Sequence, residues 1–165
     1  PWGPLRGGKY SLFEAGTRVP LIVYWNGKIS PAVSDAMVSQ IDILSSLAEL
    51  VGSDKRGPDS QEMLTVFMGQ SDRGRDELIL EATSRTALRK GNWVMIPPYN
   101  GPAKNNSVNI ELGNSPDFQL YNLSEDIEQQ KNLAKENPEK LQEMIETFKN
   151  IRGAGFENIE QLELK

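Results

Sequence analysis

The stretch "RTALRKGNWVMIP" (residues 85–97) contains two short strand-like runs that meet at Gly91 and Asn92. A glycine and an asparagine between two such runs are typical of a tight β-hairpin turn, because both residues tolerate left-handed backbone angles. A similar run, "ELILEAT" (77–83), precedes this hairpin, and another, "DFQLYNL" (117–123), follows it. The sequence therefore predicts a small antiparallel sheet of about four strands.

A helix is predicted after the last strand, between Pro138 and Gly153. Asn137 suits the N-cap, a proline is accepted at the first helical position, and a glycine is typical of the exit. Apolar residues recur at helical spacing on one face of this segment: Leu141, Met144, Ile145, Phe148 and Ile151. Strands followed by a covering helix predict an α+β layer from about residue 75 to residue 153.

The first part of the chain has a different pattern. "PLIVYW" (20–25) is apolar at every position, which is typical of a strand interior to a sheet. A helix is predicted over 39–52, with Ser39 and Asp42 in the spacing of a capping pair, and a short helix over 60–69. Residues 97–109 are predicted to form a loop.

Composition excludes several kinds of function. The 165 residues carry a net charge of −5, which argues against nucleic acid as a partner, because binding to phosphates requires a surplus of cations. There is no cysteine and no histidine, so disulfides, thiolate nucleophiles and a histidine-based serine triad are excluded within this sequence. No apolar run approaches the roughly 20 residues of a membrane helix, so no membrane partner is expected.

The segment "LRGGK" (5–9) has the composition of an anion-binding loop. Lys9 offers a compact charge, Arg6 offers a guanidinium for bidentate contacts, and the glycines allow the backbone to approach a ligand. It is not a phosphate-binding P-loop, since Tyr10 follows the lysine where Ser or Thr is needed. Taken alone, the segment fits an ordinary surface loop better than a binding site.

Two other groups of charged residues are interpreted as structural. Glu14 and Arg18 have the spacing of an ion pair that orients the loop. Asp72, Asp76 and Glu77 do not have the spacing of a calcium loop and are interpreted as part of a solvated turn, so no metal ligand is assigned in this sequence.

Four segments, in order along the chain, resemble the C-terminal part of the sulfatase family, within the alkaline-phosphatase-like superfamily. "LRGGKYSLFEAGTRVPLIVYWNGKI" (5–29) is similar to the family's R-G-G-K stretch, which continues as E-G-G-x-R-x-P-L-I-V. "VSDAMVSQIDILSSLAELVG" (33–52) is similar to the segment that comes next in the family. "TALRKGNWVMI" (86–96) is similar to its R-x-G-x-W-K-L-I hairpin, and "FQLYNLSEDIEQQKNLAKENPE" (118–139) is similar to its ending before a terminal helix.

The resemblance implies a site for hydrolysing sulfate esters. In the family a hydrated formylglycine is the nucleophile, and a divalent cation, usually Ca²⁺, binds it together with the sulfate. The lysine of the R-G-G-K segment belongs to the cationic cluster around the sulfate, and it matches Lys9 here. The resemblance therefore assigns Lys9 a catalytic and substrate-binding role and places Arg6 beside it as a second candidate for substrate binding.

The family's nucleophile motif, C/S-x-P-x-R, does not occur in this sequence. We therefore expect the chain to be a fragment, with the formylglycine and Ca²⁺ site in a missing N-terminal part, and to be inactive alone. Residues 1–74 are expected to be the end of the large catalytic α/β domain, with a remnant strand and helix. Residues 75–165 are expected to form the C-terminal subdomain of antiparallel sheet and helix. The family favours a periplasmic, secreted or lysosome-like compartment.

The expected substrate is a sulfated carbohydrate or an aryl sulfate, bound as a small molecule or glycan. Two alternatives remain open: part of a related phosphodiesterase or phosphonate hydrolase, and a non-catalytic binding or assembly module. The apolar strand 20–25 is expected to be covered by the helix 39–51 or to pair with a second copy, because an unpaired hydrophobic strand promotes association.

Overall fold

The computed structural model describes residues 3–153. Their contacts divide the chain into two compact units: one contains residues 3–19 and 77–153, and the other contains residues 20–76. The expected boundary at residue 74, between the large catalytic domain and the C-terminal subdomain of the parent enzyme, stays a prediction. Within this structure, residues 3–19 pack with the sheet.

Ten elements are formed in the described residues. The helices are α1 (Glu14–Thr17), α2 (Asp42–Leu50), α3 (Leu64–Phe67) and α4 (Pro138–Arg152). The strands are β1 (Glu77–Ala82), β2 (Arg85–Lys90), β3 (Trp93–Ile96), β4 (Lys104–Asn105), β5 (Ile110–Glu111) and β6 (Gln119–Asn122). Among residues 3–153, no helix combines the length and apolar character needed to cross a bilayer.

The sheet is four-stranded and antiparallel, in the order β1-β2-β3-β6. This confirms the predicted sheet and its terminal helix. Lys90 pairs with Trp93, so Gly91 and Asn92 form the two-residue turn that the sequence predicted. Gly91 has φ +55°, a left-handed angle that glycine adopts without steric penalty.

The sheet has a core on each face. On one face, α4 contributes Met144 and Phe148 to a cluster that includes Leu88, Met95 and Leu120. The opposite face is covered by the N-terminal loop, whose Leu12 and Phe13 join a cluster formed by these residues: Ala87, Val94, Ile96, Tyr99, Tyr121 and Leu123. Successive residues of a strand point to opposite faces of the sheet, so β2 and β3 each contribute side chains to both cores. The N-terminal loop is therefore a structural layer of the sheet unit.

Helix α4 matches its predicted bounds, with two differences in detail. Gly153 ends it at φ +62°, as expected, but the Asn137 side chain makes no capping hydrogen bond. Ile151, assigned to the apolar stripe, is 45% exposed, whereas Met144 and Phe148 are fully buried. The segment 97–109, predicted as loop, contains β4, which pairs with β5 as a short separate hairpin.

The second unit differs more from expectation. The helix predicted over 39–52 begins at Asp42 and ends at Leu50, and the helix predicted over 60–69 is reduced to Leu64–Phe67. In and beside the first of these helices Ala48 is buried, whereas Ile41, Leu44 and Val51 are exposed.

The strand predicted at 20–25 is wrong for this structure. These residues do not form a strand, and Ile22 and Tyr24 are 89% and 82% exposed, so the helix does not cover the segment either. A strand needs a neighbour for its backbone N–H and C=O groups, and no described segment pairs with this one. The expected self-association through residues 20–25 stays a prediction.

Candidate functional site

The segment around Lys9 folds into a compact loop whose glycines are required by close contacts. A side chain at Gly7, which has φ +87°, would collide with the Ser11 side chain, and one at Gly16 would collide with the Ser11 and Gly8 backbone. The Ser11 N–H donates to the Gly8 carbonyl at 2.9 Å and closes the turn that carries Lys9. The sequence signal of clustered glycines therefore reflects tight backbone packing.

Lys9 lies at the tip of this loop and is exposed. Its ammonium lies 5.1 Å from the centroid of the Tyr10 ring. Within residues 3–153 no carboxylate forms an ion pair with Lys9. An exposed ammonium without an internal counter-ion is available to an anionic ligand.

Arg6, in contrast, is bonded within the protein. Its Nε and Nη2 donate to the Glu111 carboxylate at 2.9 and 2.8 Å, and its Nη1 donates to the Gln129 carbonyl at 2.6 Å. Its guanidinium lies 4.1 Å from the centroid of the Phe13 ring. The hydrogen bond with Glu111 raises the pKa of Arg6 and lowers the pKa of Glu111. A sulfate contact by Arg6 stays a prediction; in this structure Arg6 holds the loop.

The other end of the loop is held through Glu14, which is 2% exposed. Its backbone N–H donates to Oε1 of Gln129 at 2.8 Å. Its carboxylate accepts a hydrogen bond from Arg89 at 2.7 Å and lies 3.6 Å from Arg18. The predicted Glu14–Arg18 pair is present, but Arg89 is the closer partner.

Three residues that support the loop were missed by the sequence reasoning: Glu111, Gln129 and Arg89. Arg6 is 105 positions from Glu111 and 123 from Gln129, and Glu14 is 75 positions from Arg89. No local motif connects residues this far apart. The only signal in the sequence was indirect, namely a glycine-rich loop that is flanked by the charged residues Arg6 and Glu14.

The described residues do not provide a metal centre. Over residues 3–153 no three Asp, Glu, His or Cys side chains cluster as metal ligands would. Asp72 and Asp76 are exposed, and Glu77 lies 3.9 Å from Lys90. These residues therefore do not fit the Ca²⁺ and formylglycine site that the resemblance implies.

Comparisons with known proteins relate both the loop and the sheet to one family. Residues 2–53 match the family model described as Sulfatase. Over 156 residues, or 92% of its length, the chain is 40% identical to an N-acetylgalactosamine-6-O-sulfatase of Bacteroides thetaiotaomicron, of which it spans 30%.

Comparison of the fold with solved structures also relates the chain to sulfatases. A solved structure described for the metabolism of multiple glycosaminoglycans by Bacteroides thetaiotaomicron superposes with a TM-score of 0.87 at 39% identity, covering 92% of this chain and 32% of that one. A sulfatase from Pseudoalteromonas sp. shares the fold at 19% identity, with a TM-score of 0.70 over 95% of this chain and 34% of that one. The chain thus spans about a third of the length of these relatives.

Proposed function

Because the chain belongs to the sulfatase family, we propose that it forms the Lys9-bearing wall of the active site of a sulfuric ester hydrolase. The proposed substrate is a sulfated glycan. The observation that supports this most is the 40% identity, over 156 residues, with an N-acetylgalactosamine-6-O-sulfatase. The exposed Lys9 on a tightly packed loop is the residue of this chain that fits the proposed chemistry.

The role of Lys9 follows from the charge on the substrate. A sulfate ester is an anion, and negative charge grows on the departing ester oxygen as the S–O bond breaks. An ammonium held at a fixed position stabilises that developing charge more than it stabilises the ground state. Lys9 therefore binds the sulfate and lowers the barrier to ester cleavage.

The proposal assigns the nucleophile and the metal to residues outside this sequence. The nucleophile and the Ca²⁺ that the resemblance implies are assigned to another part of the parent enzyme, since no C/S-x-P-x-R motif occurs in this sequence. The chain alone is expected to release no sulfate from any aryl or glycan sulfate, with or without Ca²⁺. Turnover by the pure chain would overturn this division of roles. We propose a periplasmic, secreted or lysosome-like compartment for the protein, as the resemblance implies.

A chimera tests the role of Lys9. This chain replaces the matching segment of the Bacteroides thetaiotaomicron N-acetylgalactosamine-6-O-sulfatase, and sulfate release from 6-O-sulfated N-acetylgalactosamine is measured. The chimera is expected to be active, and Lys9→Ala is expected to lower kcat/KM by about 10²–10³-fold, the usual effect of removing a group that stabilises transition-state charge.

Lys55→Ala is the matched control, because Lys55 is an exposed lysine of the other unit. It is expected to leave kcat/KM unchanged. A folded, active chimera in which Lys9→Ala and Lys55→Ala behave alike would refute the assignment of Lys9.

A further inference from the structure

Gln129 connects the loop between β6 and α4 to the loop that carries Lys9. Its side chain is completely buried, and its backbone has φ +52°. Glutamine adopts this left-handed conformation at a cost, which the surrounding contacts must offset. The position of Gln129 is therefore determined by the contacts it makes.

Those contacts reach both sides of Lys9. The Gln129 carbonyl accepts from Arg6, three residues before the lysine, at 2.6 Å. Its Oε1 accepts from the backbone N–H of Glu14, five residues after the lysine, at 2.8 Å. The Ala15 N–H also donates to the Arg6 carbonyl at 3.0 Å, which closes the base of the loop.

We propose that Gln129 is a positioning residue for Lys9, a role that rests on the proposed function of Lys9 itself. Lys9 has no carboxylate partner in the described residues, so the backbone of its loop sets the point from which its side chain extends toward a ligand. Gln129 holds both sides of that loop from a segment far away in sequence. An error of about 1 Å in the placement of a catalytic group lowers rates by roughly 10²-fold, so such a support matters for turnover.

In the Gln129 side chain only the acceptor oxygen is used, whereas the backbone N–H of Gln129 donates to the Asp126 carbonyl at 3.1 Å. Its Nε2 is buried and has no hydrogen-bond partner within residues 3–153. Gln129→Glu keeps the Oε1 acceptor; because the position is buried and Arg6 is already paired with Glu111, the new carboxyl group is expected to be protonated and neutral. Gln129→Met has a similar volume but no such acceptor. The two variants therefore separate the hydrogen bond from the packing.

The first experiment measures amide hydrogen exchange in the full 165-residue chain. In Gln129→Met, the exchange rate of the Ser11 and Glu14 amides is expected to rise about tenfold, which corresponds to the free energy of one lost hydrogen bond. The exchange rate of the β3 amides is expected to stay unchanged. Gln129→Glu is expected to keep the protection of the wild type. Gln130→Ala is the matched control, because Gln130 is adjacent and exposed.

Two results would overturn the proposal: an equal rise at all amides, which would mean a general structural role, or no rise at the loop. Where Gln129→Met does not fold, Gln129→Gly is measured instead. Glycine accepts φ +52° and keeps the carbonyl that Arg6 uses, so the same local rise is expected.

The second experiment uses the chimera. Gln129→Met is expected to lower kcat by tenfold or more, which is on the order of the cost of misplacing a catalytic group, and to leave KM little changed. Gln129→Glu is expected to keep the kcat of the unmodified chimera. If Lys9→Ala lowers turnover and Gln129→Met does not, the positioning role fails while the proposed function stands. If Lys9→Ala has no effect while the loop exchange rises locally in Gln129→Met, the proposed function fails and the support of the loop stands.

Discussion

Asp42 and Arg75 form a buried ion pair in the unit of residues 20–76, with side chains that are 0% and 6% exposed. The Arg75 Nε donates to Oδ2 of Asp42 at 2.8 Å, and a second nitrogen donates to Oδ1. The carboxylate also accepts from the backbone N–H groups of Ser39 and Gln61, at 2.8 and 2.9 Å. One side chain at the start of α2 thus joins three segments of this unit.

Removing Arg75 is expected to unfold this unit preferentially. Arg75→Ala leaves the Asp42 carboxylate buried without its cation, at a cost of about 3–5 kcal/mol. The measurement is urea unfolding followed by Trp25 fluorescence in a Trp2→Phe, Trp93→Phe background, because Trp25 is then the only tryptophan of the chain and lies in the unit of Arg75. Arg73→Ala is the control, since Arg73 is exposed, and it is expected to change stability by less than about 0.5 kcal/mol. Equal effects of the two variants would contradict the stabilising role of the buried pair.

Acid is expected to weaken the same ion pair. Burial acts to raise the pKa of Asp42, but the hydrogen bonds from Arg75, Gln61 and Ser39 outweigh it and hold that pKa below its usual value. The pair therefore contributes stability that is fully present above about pH 4 and is lost as pH falls through the lowered pKa.

Asp42→Asn tests this pH dependence, because asparagine does not titrate. At pH 7 the variant is expected to be less stable than the wild type, and the difference is expected to shrink below about pH 4. Urea unfolding at a series of pH values measures both chains. A difference that is constant from neutral to acid pH would show that Asp42 does not contribute in its charged form.

Arg6→Lys is expected to destabilise the sheet unit although the charge is kept. A lysine ammonium cannot donate at the same time to both oxygens of Glu111 and to the Gln129 carbonyl, so the expected cost is about 1–3 kcal/mol. Unfolding followed by circular dichroism measures it. Arg56→Lys, at an exposed pair with Glu49, is expected to stay within about 0.5 kcal/mol of the wild type.

Lys9→Ala is expected to leave stability within about 0.5 kcal/mol of the wild type, because the side chain is exposed and forms no ion pair in the described residues. The melting temperature of the variant checks this. A large loss of stability would mean that Lys9 supports the loop, and the activity test in the chimera would then not isolate its chemical role.

The turn between β1 and β2 offers a stabilising substitution. Ala82 pairs with Arg85, so Thr83 and Ser84 form a two-residue turn, with φ +50° and +63°. Threonine is unfavourable there, whereas asparagine tolerates left-handed angles. Thr83→Asn is expected to raise the unfolding free energy by about 0.5–1 kcal/mol. Thr83→Val keeps the branched side chain and is expected to give no gain in the same thermal unfolding experiment.

Local patterns were sufficient to predict the four-stranded sheet and the helix α4 of the sheet unit. The turn at Gly91 and Asn92, the strand runs around it, and the helix between Pro138 and Gly153 each depend on neighbouring residues, which a sequence shows directly. The segment 20–25 has an equally strong strand pattern, but a strand also depends on a partner, and residues 3–153 supply none. The apolar composition of the segment favours a strand, but a strand does not form because no described segment pairs with it.

The sequence indicated Lys9 as a candidate site residue but not the residues that hold its loop. The R-G-G-K segment directed attention to Lys9, and its exposure in the structure fits that hypothesis. The partners of Arg6 and Glu14 come from residues 75 to 123 positions away, and no spacing rule predicts such contacts. The same distance explains why Arg6 was grouped with Lys9 as a second cation for the ligand, although its guanidinium is bonded to Glu111 and Gln129.

These long separations also bear on the order of folding. The hairpins of β1, β2 and β3 join neighbouring segments and close short loops, so they are able to form early. The Arg6–Gln129 contact closes a loop of 123 positions and requires β6 to be in place first. The Lys9 loop is therefore expected to dock late during folding.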